Sequence, residues 1–139
     1  MREDKIMKIK VGAANDIAIL SALRGCTSAV FRVDANGAWD THEAIAKSLE
    51  MERLGVELIE QPVQRDNWTG ARAVRSKCTL PIIADESCIV ERDVERCAGV
   101  FQGINIKLVK CGGLTPARAI QSGTIINADA MQVYRDLRV

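Results

Sequence analysis

Asp40-Thr-His-Glu-Ala-Ile-Ala-Lys-Ser-Leu-Glu-Met-Glu-Arg-Leu-Gly-Val-Glu-Leu-Ile-Glu-Gln-Pro62 is the stretch that decides the fold. Asp40 and Glu43 form a D-x-x-E capping pattern that opens a helix. Ile45, Leu49 and Leu54 follow at near-helical spacing, and Gly55 supplies the stop. The pattern then switches to Val56–Glu60, a short apolar strand ending in a carboxylate. Gln61-Pro62 closes that strand, because proline cannot continue a central ladder. A helix that feeds straight into a strand with a charged far end is one unit of an α/β repeat.

The same unit recurs on both sides. Lys10, Asp34, Glu60, Asp85 and Lys107 each follow a short apolar run, at intervals of 24, 26, 25 and 22 residues. Such a gap accommodates one strand and one crossover helix. The apolar runs predict strands over 6–12, 29–34, 56–60, 81–85 and 104–109. Helices are expected from Asn15 or Asp16 to Gly25, with Ile17, Leu20 and Leu23 inward, and again over 68–76 and 92–98. No hairpin turn interrupts the alternation, which argues for parallel strands with right-handed crossovers. The expected class is α/β, a partial (β/α)8 TIM-type barrel of about five βα units. An open doubly wound sheet has the same element order. It concentrates its site at one switch point, often with a Gly-rich first turn, and no G-x-G-x-x-G occurs here.

Parallel strands place their far ends at one rim, so Asp34, Glu60 and Asp85 should meet there between Lys10 and Lys107. Crowded carboxylates repel one another unless a hard cation sits among them. Side chains alternate along a strand, so Lys8 shares a face with Lys10, Arg32 and Asn36 with Asp34, and Asn105 with Lys107. Each residue alone has a plainer reading: charges guarding an edge strand, turn formers, an N-cap pair. The common phase of all five outweighs those readings, and the set points to metal-assisted proton transfer. His42, the sole histidine, falls at a helix start and fits a solvated or capping role. Gly112-Gly113 suits either an anion-holding turn or a turn that begins the next helix.

Composition excludes several classes. A chain of 139 residues with 47% hydrophobic content can bury one modest core, but a complete barrel takes about 250 residues. A net charge of +1 gives no basis for nucleic-acid binding. No apolar run approaches the ~18 residues of a membrane span, and no signal peptide is evident. The five cysteines are scattered without a C-x-x-C pair, as expected of reduced thiols in a cytoplasmic protein.

Taken in order, Lys-Ile-Lys-Val-Gly at 8–12, Arg-Val-Asp-Ala-Asn at 32–36, Ile-Glu-Gln-Pro at 59–62, Ala-Asp-Glu-Ser at 84–87, Asn-Ile-Lys at 105–107 and Lys-Cys-Gly-Gly-Leu-Thr at 110–115 resemble the barrel of the enolase superfamily. The subgroup is that of the muconate-lactonizing enzymes and dipeptide epimerases, and the resemblance covers residues 6–116. It implies that Asp34, Glu60 and Asp85 bind Mg²⁺, with Mn²⁺ as a substitute, and that Lys10 and Lys107 are acid/base groups on opposite faces of the substrate, with Lys8 beside Lys10. It further implies epimerisation or racemisation of a small carboxylate or dipeptide through an enediolate, with Arg32, Asn36, Asn105 and Glu86 as weaker substrate-binding candidates. Cycloisomerisation and dehydration share that intermediate.

Two departures qualify the expectation. The family's capping domain and last barrel strands are not recognised, so residues 1–121 are expected to form a partial barrel domain. That leaves an alternative of a catalytically silent fragment or assembly module, with open barrel edges available for self-association, and the chain by itself is expected to show little turnover on dipeptides. Residues 122–139 form an atypical tail, which resembles a segment of tRNA dimethylallyltransferases, with Asp129 at a position important in that family. The G-x-x-x-x-G-K-[ST] loop is missing from the sequence, so the tail gives no support for nucleotide binding.

Overall fold

The computed structural model describes residues 6–120, 124–125 and 131–134. Five parallel strands, β1 (Ile6–Lys10), β2 (Val30–Asp34), β3 (Val56–Glu60), β4 (Ile82–Ala84) and β5 (Gly103–Ile106), pair in sequence order. The helices α1 (Asp16–Cys26), α2 (Thr41–Arg53), α3 (Trp68–Lys77) and α4 (Asp93–Cys97) make the crossovers. The α/β alternation expected from the spacing is therefore present, including β3 at its expected bounds.

Beyond β5 the chain departs from the expected strand. Residues 104–109 were expected to stay extended, but α5 (Leu108–Cys111) turns there, followed by α6 (Leu114–Ile120). The Lys107 carbonyl accepts the amides of Lys110 and Cys111, and Gly112 closes the turn at φ 89°. Glycine takes this left-handed cap at little steric cost, whereas Val109 loses its place in a strand and is left 97% exposed. Two short strands, β6 (Thr124–Ile125) and β7 (Met131–Tyr134), extend the sheet, with β7 antiparallel to both β5 and β6. The five residues between them are too few for a parallel crossover. Asp129 lies outside the described residues.

The two faces of the sheet differ in content. Phe31 and Val33 from β2, Ala35 just past it and Ile59 from β3 pack with Leu20, Ala44, Met51, Ala71 and Val74 of the helices in the main core. Leu58 and Ile83 form a separate pair on the opposite face. Fully burying side chains of this size contributes roughly 1.5–3 kcal/mol each. Asp40 caps α2 by accepting the Glu43 amide at 2.8 Å, as the D-x-x-E pattern predicted. Asn67 caps α3 through Gly70, where a Cβ would stand 2.4 Å from Thr41 Oγ1, so only glycine lets α2 and α3 approach this closely. Among the described residues, no helix is long and apolar enough to cross a membrane.

A buried ion pair ties the loop after β1 to the helices. Asp16 accepts from the amides of Gly12 and Ala13, from Trp39 Nε1 at 3.2 Å and from Lys47 Nζ at 2.7 Å. Burial alone would raise the Asp16 carboxyl, but the hydrogen bonds from Lys47, Ala13 and Gly12 outweigh it and hold the pKa below 3.8. The stabilisation is therefore present above pH 3.8 and is lost as pH falls through the lower native value. Lys47→Met strands a carboxylate that is 3% exposed and should lower unfolding free energy by about 3 kcal/mol at pH 7. Urea denaturation should show the gap between variant and wild type closing once Asp16 is protonated.

Candidate active site

The strand ends carry the charged side chains that the spacing singled out. Lys10, Asp34 and Glu60 are the last residues of β1, β2 and β3 and stand opposite one another in register. Glu60 pairs with Ile83, so Asp85 lies beyond the end of β4, and Lys107 lies just past β5. All five are at the same end of the parallel sheet. Asp34, Glu60 and Asp85 have no exposed surface, and three ionised carboxylates in that condition require counter-charges.

Lysines supply them. Lys8 Nζ bridges Glu60 Oε2 at 2.7 Å and Asp34 Oδ2 at 3.2 Å, and Lys10 Nζ donates to the same Asp34 oxygen at 2.6 Å. Lys107 binds Asp85 Oδ2, and Lys110 binds Asp85 Oδ1 at 2.9 Å. Asn105 Nδ2 donates to Glu60 Oε1 at 2.7 Å. Asn36 accepts from Lys10 at 2.6 Å and donates to Glu86 Oε1 at 3.0 Å. Asn36, Asn105 and Glu86 thus join the network. Arg32 stands lower on β2 and pairs with Glu57, at the β2–β3 register shift.

The titration of the group follows from these contacts. Burial would lower Lys8, yet the hydrogen bond and charge of Glu60, with Asp34, raise it above 10.5. Burial likewise opposes the charged form of Lys107, and Asp85 overcomes it, raising Lys107 above 10.5. Burial raises Asp34, but Lys10, Lys8 and the Asn36 amide bring it below 3.8. Glu60 goes the other way, above 4.5, because burial and the Asp34 charge exceed what Lys8 and Asn105 offset.

Among the described residues, no three His, Cys, Asp or Glu side chains stand together as a ready-made cage. The donor set nevertheless fits a hard divalent cation. It is all oxygen, and an ammonium already sits between Asp34 and Glu60. The buried Asn105 Oδ1 beside Glu60 has no hydrogen-bond partner among the described residues and offers a neutral oxygen.

Sequence reasoning missed Lys110 and Gln61. Lys110 reaches Asp85 from the helical turn of residues 108–111, which begins inside the strand expected over 104–109. Gln61 was read only as part of the strand stop, although its side chain holds the loop that carries Asp85. Gly113 does not offer its amide to an anion: that N–H donates to Leu108 O at 3.0 Å, as in the plain turn reading.

The profile of the enolase C-terminal domain-like family matches residues 2–123. The chain belongs to this family. An L-Ala-D/L-amino acid epimerase from Maribacter sp. is 54% identical over 127 residues, covering 91% of this chain and 38% of that protein. The solved dipeptide epimerase of Enterococcus faecalis complexed with Mg and L-Leu-L-Tyr superposes with a TM-score of 0.81 at 37% identity, over 84% of this chain and 35% of that one. The dipeptide epimerase of Cytophaga hutchinsonii complexed with Mg and D-Ala-L-Val gives 0.80 at 34% identity, over 84% and 33%. The chain thus spans about a third of the length of the relatives it matches. The resemblance stated from the tetrapeptides holds, and so does the barrel-type α/β class of this enolase-family chain.

Lys8 offers a direct check on the electrostatics. Its side chain is 39% exposed, so solvent screening limits its contribution to about 1 kcal/mol. Lys8→Met should lower unfolding free energy by that amount at pH 7. The native pKa lies above 10.5, so the contribution is complete below pH 10.5 and disappears as pH rises through the native value. Urea titrations at neutral and high pH should show the two proteins converging.

Proposed function

We propose that this chain supplies the ligand- and base-bearing strand ends of a Mg²⁺-dependent epimerase acting on dipeptide carboxylates. The observation that carries the reading is the order of charges at the rim. Lys10 ends β1 and Lys107 follows β5, the outermost of the five parallel strands, with the three buried carboxylates between them. Asp34, Glu60 and Asp85 would hold the cation, and Mn²⁺ would suit the same oxygens. Bound there, the cation would supply positive charge beside the substrate carboxylate as negative charge builds up on it.

This chain's own residues do the rest. Removing the α-proton from one side and returning it from the other inverts a stereocentre, and lysines on two flanks suit that task. Lys10 takes or gives the proton on the β1 side and Lys107 does so on the β5 side. Both ammoniums are ion-paired as they stand, so each must leave its carboxylate and give up a proton to solvent before it acts as a base, whereas as an acid it donates the proton it already carries. Lys8 keeps positive charge beside Asp34 and Glu60. Asn36 and Glu86 border a cleft beside the rim and suit the polar groups of a dipeptide, while Asn105 lies buried against Glu60. The dipeptide epimerases among the relatives support this choice of substrate.

A second reading has its own observation. Strand β7 occupies the outer edge of β5 in antiparallel sense, where a barrel would continue in parallel. That arrangement favours a sheet that presents the site residues without closing around a substrate.

Metal binding tests the reading first. Mg²⁺ at a hundredfold its dissociation constant should stabilise the chain by about 2.7 kcal/mol, visible as a higher melting midpoint. Asp85→Asn and Glu60→Gln should each remove most of that shift, and an equal shift in all three proteins would exclude the site. Proton transfer is then followed by NMR as deuterium incorporation at the dipeptide α-carbon in D₂O with Mg²⁺. Incorporation should be lost in both Lys10→Ala and Lys107→Ala. Exchange undiminished in both would sink the two-base mechanism, and wild-type protein that binds Mg²⁺ without exchange would select the second reading.

A further inference from the structure

We infer that Gln61 is a positioning residue whose buried amide sets Asp85 relative to Glu60 and thereby sets the affinity for a divalent cation. The inference rests on the metal reading proposed above. Gln61 follows Glu60 directly, has no exposed surface, and has φ 40°. A residue with a Cβ is strained in that left-handed region and stays there only when its surroundings over-determine it.

The surroundings are explicit. Gln61 Oε1 accepts from the Asp85 amide at 3.0 Å and the Ser87 amide at 3.1 Å. Its Nε2 donates to Val63 O and to Ser87 Oγ, both at 2.8 Å. Two N–H groups at one end and a carbonyl at the other allow only one orientation of the amide. Ser87 Oγ donates onward to Arg65 O at 2.8 Å, which completes the chain. The Gln61 main chain donates to Ile83 O at 2.8 Å and accepts from Gly37 N at 2.7 Å. One residue therefore joins the ends of β2, β3 and β4.

The consequence falls on Asp85. Asp34 and Glu60 are the last residues of their strands, and the sheet ladder places them. Strand β4 stops at Ala84, so Asp85 lies past the ladder and a side-chain amide holds its backbone N–H instead. Loss of that amide frees the third carboxylate from the register that places the other two.

Two variants of the full chain test this. Gln61→Gly relaxes the left-handed backbone while deleting the amide. Gln61→Asn is neutral and tolerates positive φ, but its amide is one methylene too short to span these partners. Mg²⁺ affinity is read by isothermal titration calorimetry, and the metal-free melting midpoint is read alongside it. Both variants should bind Mg²⁺ at least tenfold more weakly than wild type, the scale of losing support behind a metal ligand. If Gln61→Gly fails to fold, the affinity of Gln61→Asn decides. A lowered midpoint with wild-type Mg²⁺ affinity would make Gln61 merely structural and overturn the inference. If wild type binds Mg²⁺ and Asp85→Asn does not, while the folded Gln61 variants bind as wild type, this inference alone falls. A wild-type chain that binds no Mg²⁺ overturns the metal reading and this inference together.

Discussion

Three carboxylates without solvent exposure, gathered at one end of a parallel sheet, impose the constraint that the rest of the rim satisfies. Moving an ionised carboxylate out of water costs several kcal/mol even after relaxation, and like charges side by side add to that cost. Here Lys8, Lys10, Lys107 and Lys110 supply the opposing charge. Lys8 bridges Asp34 and Glu60 and shares Asp34 Oδ2 with Lys10, while Lys107 and Lys110 take the two separate oxygens of Asp85. The opposite shifts of Asp34, downward, and Glu60, upward, show the asymmetry of that sharing. Asp34 receives two ammoniums and a backbone amide, while Glu60 receives Lys8 and the neutral Asn105.

The apolar side of the sheet makes this concentration of charge tolerable. Phe31, Val33 and Ile59 pack under the helices, and Arg24 lies 3.7 Å over the Phe31 ring while donating to Ala29 O and Leu54 O. These contacts tie α1 to the strand and turn beside it. At the other end of the same crossover, the Asp16–Lys47 pair holds the loop that follows Lys10. Rigid crossovers fix the strand ends, and fixed strand ends keep charged groups at hydrogen-bonding distance. The helix side of the sheet thus holds the apolar core, and the far ends of the strands hold the charged network.

Much of this was legible in residue order. The capping pattern at Asp40 and Glu43, the glycine stop at Gly55 and the proline at Pro62 bound α2 and β3 correctly, because each acts on its immediate backbone. The phase of Lys10, Asp34, Glu60, Asp85 and Lys107 was legible because parallel connectivity turns constant spacing into a shared edge. Less legible was the fate of Val109. Its β-branched side chain suited a strand, but the turn after Lys107 and the left-handed Gly112 prevailed. Missing that turn hid Lys110, which approaches Asp85 only from a helical turn.

The sequence by itself determined the alternation of strands and helices, their common direction, and which charged residues lie at the strand ends. Local capping, turn chemistry and spacing suffice for those, and none of them requires a partner distant in the chain. Only the tertiary structure decided which lysine meets which carboxylate, that Arg32 pairs with Glu57 below the rim, and that Gln61 holds the backbone of Asp85. Those pairings join residues 22 to 52 positions apart. They depend on strand register, on one bulge between β2 and β3, and on a single glutamine held at positive φ. A one-residue change in register reverses the face of every side chain on a strand, so contact identity is a property of the assembled sheet.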